Sequence, residues 1–186
     1  MISVNLALKN AAEFRLHPLG FFYFRLDGDS ISTRFHIWPR SEFGVPENDC
    51  HQHSFDIRSL ILAGRMRSEI FNFLPAPGGS ENEFAVTYGD GSSSLRPTGR
   101  VGSLDRVCEF DSSVGDTYFL GAGTIHRVSI TRRPCVTTLE TTDRHIPVFS
   151  YGNDNAEPAF DRRRVSHTEI SEIQKILEPL LPDQAP

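Results

Sequence analysis

The stretch from His51 to Gly64, HQHSFDIRSLILAG, limits the fold more than any other. Two histidines stand one residue apart at the head of a run rich in Ile, Leu and Phe. Successive side chains of a strand point to opposite faces, so positions i and i+2 share one. A strand here aims His51 and His53 at the same point, and imidazoles that are neutral near pH 7 can hold one ion together. A second stretch, GDTYFLGAGTIH from Gly115 to His126, reads as a strand, a tight glycine turn and a strand opening on a third histidine. Glycine supplies the positive φ such a turn needs.

Most of the remaining chain also reads as β-structure. Residues 21–27 (FFYFRLD) and 30–38 (SISTRFHIW) flank the turn signal Gly28-Asp29 and form a hairpin. Residues 39–49 form a loop marked by Pro39, Gly44 and Pro46. Further strands are expected at 65–73, 107–110, 117–120, 126–131 and 136–142. Residues 3–13 form either a short helix or an irregular arm, and 143–165 are polar and irregular. Residues 75–104 crowd Gly, Pro and Ser into a long hairpin insertion with a strand near 83–88, either a surface loop or a lid. At the end, Ser166 and Glu169 make a capping box. Ile170, Ile173, Ile176, Leu177 and Leu180 recur at helical spacing until Pro182. That helix, about 166–181, packs on the outside of the β-structure or forms a dimer contact.

A chain of 186 residues with net charge −5 suits one domain and carries no basic cluster for nucleic acid. No apolar run reaches the roughly 18 residues of a membrane span. Met1 to Asn10 lacks a secretory pattern. The three cysteines, Cys50, Cys108 and Cys135, fit neither a zinc ribbon nor a disulfide framework and read as reduced thiols. A cytoplasmic monomer or homodimer is the expectation.

The two histidine stretches resemble the paired motifs of the cupin superfamily. His51, His53 and Gly64 match the first motif, with Ile57 where the family has a Glu. Gly115, Gly123 and His126 match the second, with Gly121 in place of its proline and Ile130 in place of its terminal Asn. The resemblance implies an all-β, single-domain jelly-roll barrel, core about 19–142, with the C-terminal helix added. Strand parity turns His51, His53, Phe55, Ile57 and Ser59 inward, and Asp56 and Arg58 outward. Because Ile57 cannot bind metal, a three-histidine site of His51, His53 and His126 is expected. Imidazole ligands suit Fe(II), Zn, Mn, Ni or Cu.

Within the cupins the chain resembles cysteine-dioxygenase-type thiol dioxygenases, which hold iron on three histidines. Tyr23-Phe-Arg25, then Phe35-His-Ile-Trp38, then His51-Gln-His53 follow that family's order. The resemblance implies that Arg25 holds a substrate carboxylate, with Arg34 as competitor on the face of His36 and Trp38. Tyr23 joins them as a substrate contact. A guanidinium fork suits a carboxylate, although a rim ion pair is equally open for Arg25. The family's Ser-His-Tyr pattern after the third ligand is not kept, since Glu140 and Thr142 stand at its His and Tyr positions. Glu140 is expected to face inward with Thr138 and Thr142. There it would act as a general base, bind an amine, ligate the metal or pair with an arginine.

Three functions remain open. The first is an Fe(II) oxygenase using O2 on a small amino-acid-like or thiol carboxylate. The second is a non-redox lyase, isomerase or hydrolase with Zn or Mn, with Glu140 as base. The third is a binding barrel without turnover.

Overall fold

A computed structural model of the chain describes residues 1–40, 50–89, 91–153 and 159–181. Most of the loop expected at 39–49, with Gly44 and Pro46, lies outside the described residues, as does the helix stop at Pro182. A helix α1 (Val4–Lys9), N-capped by Ser3, and a 3-10 turn (Ala11–Glu13) open the chain. Eleven strands follow: β1 (Arg15–His17), β2 (Phe21–Leu26), β3 (Ser32–Trp38), β4 (Cys50–His51), β5 (Phe55–Pro75), β6 (Glu81–Gly89), β7 (Ser92–Ser113), β8 (Thr117–Leu120), β9 (Ile125–Asp143), β10 (Phe149–Gly152) and β11 (Ala159–Asp161). Helix α2 (His167–Leu177) ends the regular structure, with the expected capping box between Ser166 and Glu169, and runs into a 3-10 turn (Glu178–Leu180).

The strands close on themselves. β9 pairs with β4, β4 with β10, β10 with β6, β6 with β7, β7 with β5, and β5 again with β9. This is an all-β jelly-roll-type barrel, whose closure leaves few exposed edges. β5, β7 and β9 span 21, 22 and 19 residues, so each crosses from one side of the barrel to the other. The strands expected at 126–131 and 136–142 are therefore two halves of β9. Residues 75–104, expected as an insertion, supply β6 and part of β7 and so build barrel wall. Residues 143–165 hold β10 and β11 rather than only irregular chain.

The hairpin of β2 and β3 is apolar on both faces because both are covered. Phe22, Phe24, Phe35 and Ile37 point outward with Val136, where α1 and α2 pack through Ile2, Ala7, Ile173, Ile176 and Leu177. Each such large side chain contributes about 1.5–3 kcal/mol on burial. Phe21, Tyr23, Arg34, His36 and Trp38 point the other way, into the barrel. Cys50 also turns away from the histidine face, into a cluster with Phe71 and Tyr151. No described helix is long and apolar enough to cross a membrane.

The β5–β9 ladder is irregular between Ile61 and Met66, opposite Arg132 to Val136. Gly64 sits there at φ +77. A Cβ on it would lie 2.4 Å from the Pro134 carbonyl oxygen and 2.5 Å from that of Arg132. Only glycine allows this backbone approach. Gly64→Ala should lower the unfolding free energy by about 3 kcal/mol in urea denaturation. Gly78→Ala is the control, since Gly78 has φ +75 but nothing within 4 Å of the added Cβ. It should lose only about 1 kcal/mol. Equal losses at both positions would remove the steric explanation.

Candidate metal centre

His51 ends β4 and pairs directly across from His126 of β9. His53 lies just beyond β4, in the link to β5, so the histidine run is not one unbroken strand. Its carbonyl accepts a 2.9 Å hydrogen bond from the Gly123 N–H, which ties the second glycine turn to the first motif. Asp56, expected to face outward, fastens the same turn: it accepts from the Ala122 N–H at 2.8 Å and is gripped by Arg144 at 2.6 Å. That Arg144 contact, first, and the Ala122 N–H hold the Asp56 carboxyl below the usual range.

The result is a triangle of imidazoles. Ring centroids are 4.8 Å apart for His51–His53, 4.7 Å for His51–His126 and 5.1 Å for His53–His126. One ligand nitrogen from each lies within 4.8 Å of the others. Nitrogens sharing an ion at about 2.1 Å stand roughly 3 to 3.5 Å apart, so the triangle needs only slight closure. His126 Nδ1 lies 3.0 Å from the Thr124 carbonyl oxygen. A carbonyl only accepts, so Nδ1 carries the proton and Nε2 keeps its lone pair for a ligand bond. Burial, then His51, pushes the His126 pKa down to about 3, and burial lowers that of His53 well below its usual value. Neutral imidazoles are the form that binds metal, and the donor set fits one.

The triangle faces a cavity of about 360 Å³ inside the barrel. Phe55 and Ile57 line it, as parity requires, and so do Tyr23, Arg34, His36 and Trp38. Arg34 lies over the Phe55 ring at 4.2 Å, and His53 stacks on the same ring at 4.6 Å. The guanidinium is thus one ring away from the triangle. Burial, and then Arg25, brings its pKa down to about 10, so it stays charged at neutral pH.

Three of the expected site residues lie elsewhere. Arg25 is opposite Arg34 in the β2–β3 register, but it lies beyond the end of β1, at the open side of the sheet. Its side chain is 46% exposed and pairs with Asp27. Glu140 and Thr142 fall on the face of β9 away from the cavity, where Thr138 donates to the Ile2 carbonyl at 2.8 Å. Glu140 bonds the Met1 ammonium at 3.0 Å. The cause is the ladder irregularity near Gly64. His126, Val128 and Ile130 face inward before it, but Leu139 does so after it. The inward set has switched from even to odd positions.

The structure adds residues with no motif around them. His17 of β1 lines the cavity, stacked on Phe21 at 4.3 Å. Its Nδ1 accepts from the Leu19 N–H at 3.2 Å, so the neutral ring carries its proton on Nε2. Burial lowers its pKa, with Arg162 the next cause. Arg162, just after β11, lines the cavity too, as do Tyr118 and Arg133. No local pattern flags His17 or Arg162, which short elements far apart in the chain bring in, or Arg133 of β9, whereas Tyr118 lies inside the Gly115–His126 stretch. Among the described residues, no Asp or Glu lines the cavity.

No protein-family model matches the chain, and no curated protein does. Among solved structures, oxalate decarboxylase from Lactobacillus farciminis in complex with formate is 14% identical, with TM-score 0.42 over 73% of this chain and 31% of that one. Oxalate decarboxylase from Bacillus subtilis, a protein with Mn(II) centres, is 11% identical, with TM-score 0.41 over 71% of this chain and 28% of that one. A cupin superfamily protein from Desulfitobacterium hafniense is 14% identical, with TM-score 0.33 over 66% of this chain and 76% of that one. The chain spans less than a third of the length of those two decarboxylases. Likeness at this level adds nothing to the chemistry of the site. What the chain itself provides is an all-β barrel with three histidines placed so that they could hold a metal ion.

Burial of neutral histidines has a pH consequence. Burial, then Arg34, lowers the His36 pKa from 6.5 to about 3. The unfolded chain therefore takes up a proton below about pH 6.5 that the folded chain refuses, and stability falls with pH from there down to about pH 3. In metal-free protein, His36→Phe keeps a ring in place and removes this term. The variant should lose less stability than wild type between pH 7 and pH 5, by about 1 to 2 kcal/mol. Identical pH slopes in urea melts would show that His36 is not held neutral by the fold.

Proposed function

We propose that the chain is a metal-dependent enzyme of the cupin type, an Fe(II) oxygenase acting with O2 on a small carboxylate. The observation that carries this reading is the cavity onto which the imidazoles of His51, His53 and His126 and the buried Arg34 guanidinium open, with no acid among its described lining residues. His51, His53 and His126 would hold the ion. Iron(II) on three imidazoles supplies redox capacity and open positions for substrate and O2.

The chain's own residues do the rest. Arg34 presents in-plane N–H donors to a carboxylate while Phe55 covers its face, which fixes the fork in one orientation. Phe21, Trp38 and Leu139 make an apolar wall that excludes water and strengthens that pairing. His17 offers an N–H from Nε2, so a neutral His17 donates a hydrogen bond to a bound anion. With Glu140 on the outer face, no carboxylate base lines the cavity among the described residues.

A non-redox Zn or Mn enzyme is the second reading. The rings of His17 and His36, both on the cavity, favour it, because each can hydrogen-bond a substrate oxygen or proton without adding charge to the site. Elemental analysis of protein purified without added metal, followed by oxygen-electrode traces, separates the two. Iron with substrate-dependent O2 uptake supports the first, and zinc or manganese without uptake supports the second. A chain that takes no metal sinks both.

Alanine at His51, His53 or His126 should each abolish tight metal binding, measured as metal per chain after dialysis. Two variants with full metal content would show that the site lies elsewhere. Glu140→Gln should keep full metal content and wild-type turnover, since its side chain points to the N-terminal segment. A drop in turnover by about two orders of magnitude, typical of a removed general base, would overturn that placement.

A further inference from the structure

The three arginines on the cavity are an unusual expense for a barrel interior. Buried charges are normally paired, and a lone one costs several kcal/mol. All three have a buried Nε with no hydrogen-bond partner, but Arg133 donates through another nitrogen to the Pro39 carbonyl, which leaves Arg34 and Arg162. Neither forms a salt bridge among the described residues. Asp27, an acid that Arg34 influences, is already held by Arg25 and Ser32. The two guanidiniums are also near enough to repel each other.

Both are held the same way. Arg34 lies 4.2 Å over the Phe55 ring, and Arg162 lies 5.2 Å over the Tyr88 ring, whose hydroxyl it also meets as a donor. Stacking uses the face of a guanidinium and leaves edge donors for an anion. They come from separate elements, Arg34 from β3 and Arg162 from the segment after β11, and the histidine triangle opens on the same cavity. A monocarboxylate satisfies one fork and leaves the other charge buried and alone.

The geometry points to a dianionic substrate: an organic dicarboxylate, one end on Arg34 and the other on Arg162. This rests on the reading of the cavity as a substrate site and names the class of substrate. It does not require a particular metal or reaction.

Trp38, the only tryptophan in the chain, lines the cavity, so its fluorescence reports occupancy without any turnover. Titrate the purified protein, metal-loaded and metal-free, with the dicarboxylates malonate through adipate and with the monocarboxylate matching each in chain length. The best dicarboxylate should bind at least tenfold more tightly than its matched monocarboxylate. Its monomethyl ester should fall to the level of the monocarboxylate in the wild-type protein, which needs no variant. Arg162→Gln should erase the preference by weakening the dicarboxylate alone, with the monocarboxylate changed less than threefold. Equal affinity for diacid, monoacid and half-ester would overturn the proposal. So would a preference that survives Arg162→Gln. Protein that takes no metal but keeps the preference sinks the metal-enzyme reading and leaves this one standing. Metal-loaded protein without the preference does the reverse.

Discussion

The pairing of β5 with β9, broken opposite Gly64, is the constraint on which the rest of the structure depends. It closes the ring of strands, and it sets which residues the barrel interior receives. Before the break β9 sends His126 inward, and after it Leu139. A ladder regular through Arg132 to Val136 would put Glu140 into the cavity, or else expel His126 from it. The backbone contact that forces glycine at position 64, against the carbonyls on either side of the cavity-lining Arg133, thus decides the electrical character of the cavity.

That character is cationic and acid-free among the described residues. Arg34 and Arg162 face inward, while the nearby imidazoles are kept neutral by burial and by those same arginines. Such an interior works against stability. The cost is offset on the outer face of the same sheet, where the Phe22, Phe24, Phe35 and Ile37 side chains meet both helices. One sheet therefore has a stabilising side and a working side, and β2 and β3 are aromatic on both for that reason.

Much of this was legible from residue order. His51, His53 and His126 came from the i, i+2 rule and the glycine turn, and Gly64 from the same motif. The β2–β3 hairpin and the Ser166 capping box followed from turn and cap chemistry. Tyr23 and Trp38 followed from the resemblance to thiol dioxygenases, and alternation along one short, regular strand put Arg34 and His36 on the face of Trp38. What failed did so where alternation crosses an irregularity or a strand end. Glu140 and Thr142 lie past the β9 break. Arg25 has the right parity, but β1 stops short of it and Asp27 draws it out. β1, β10 and β11 are three or four residues each, too short for a period to show. His17 rides on the first of these and Arg162 follows the last, so both were invisible until the chain was folded.

The corner that holds those two residues joins remote parts of the chain. Arg15 reaches the carbonyl of Arg162 across 147 residues, Leu16 bonds Arg163, and Val165 bonds Phe14. The three imidazoles, by contrast, sit on β4, on the link after it and on β9. The segment that brings in Arg162 also leads into α2, whose Ile173, Ile176 and Leu177 cover the outer face of β2 and β3. Losing it would uncover Phe22 and Phe35 as well, so the corner and the sheet that carries Arg34 stand or fall together.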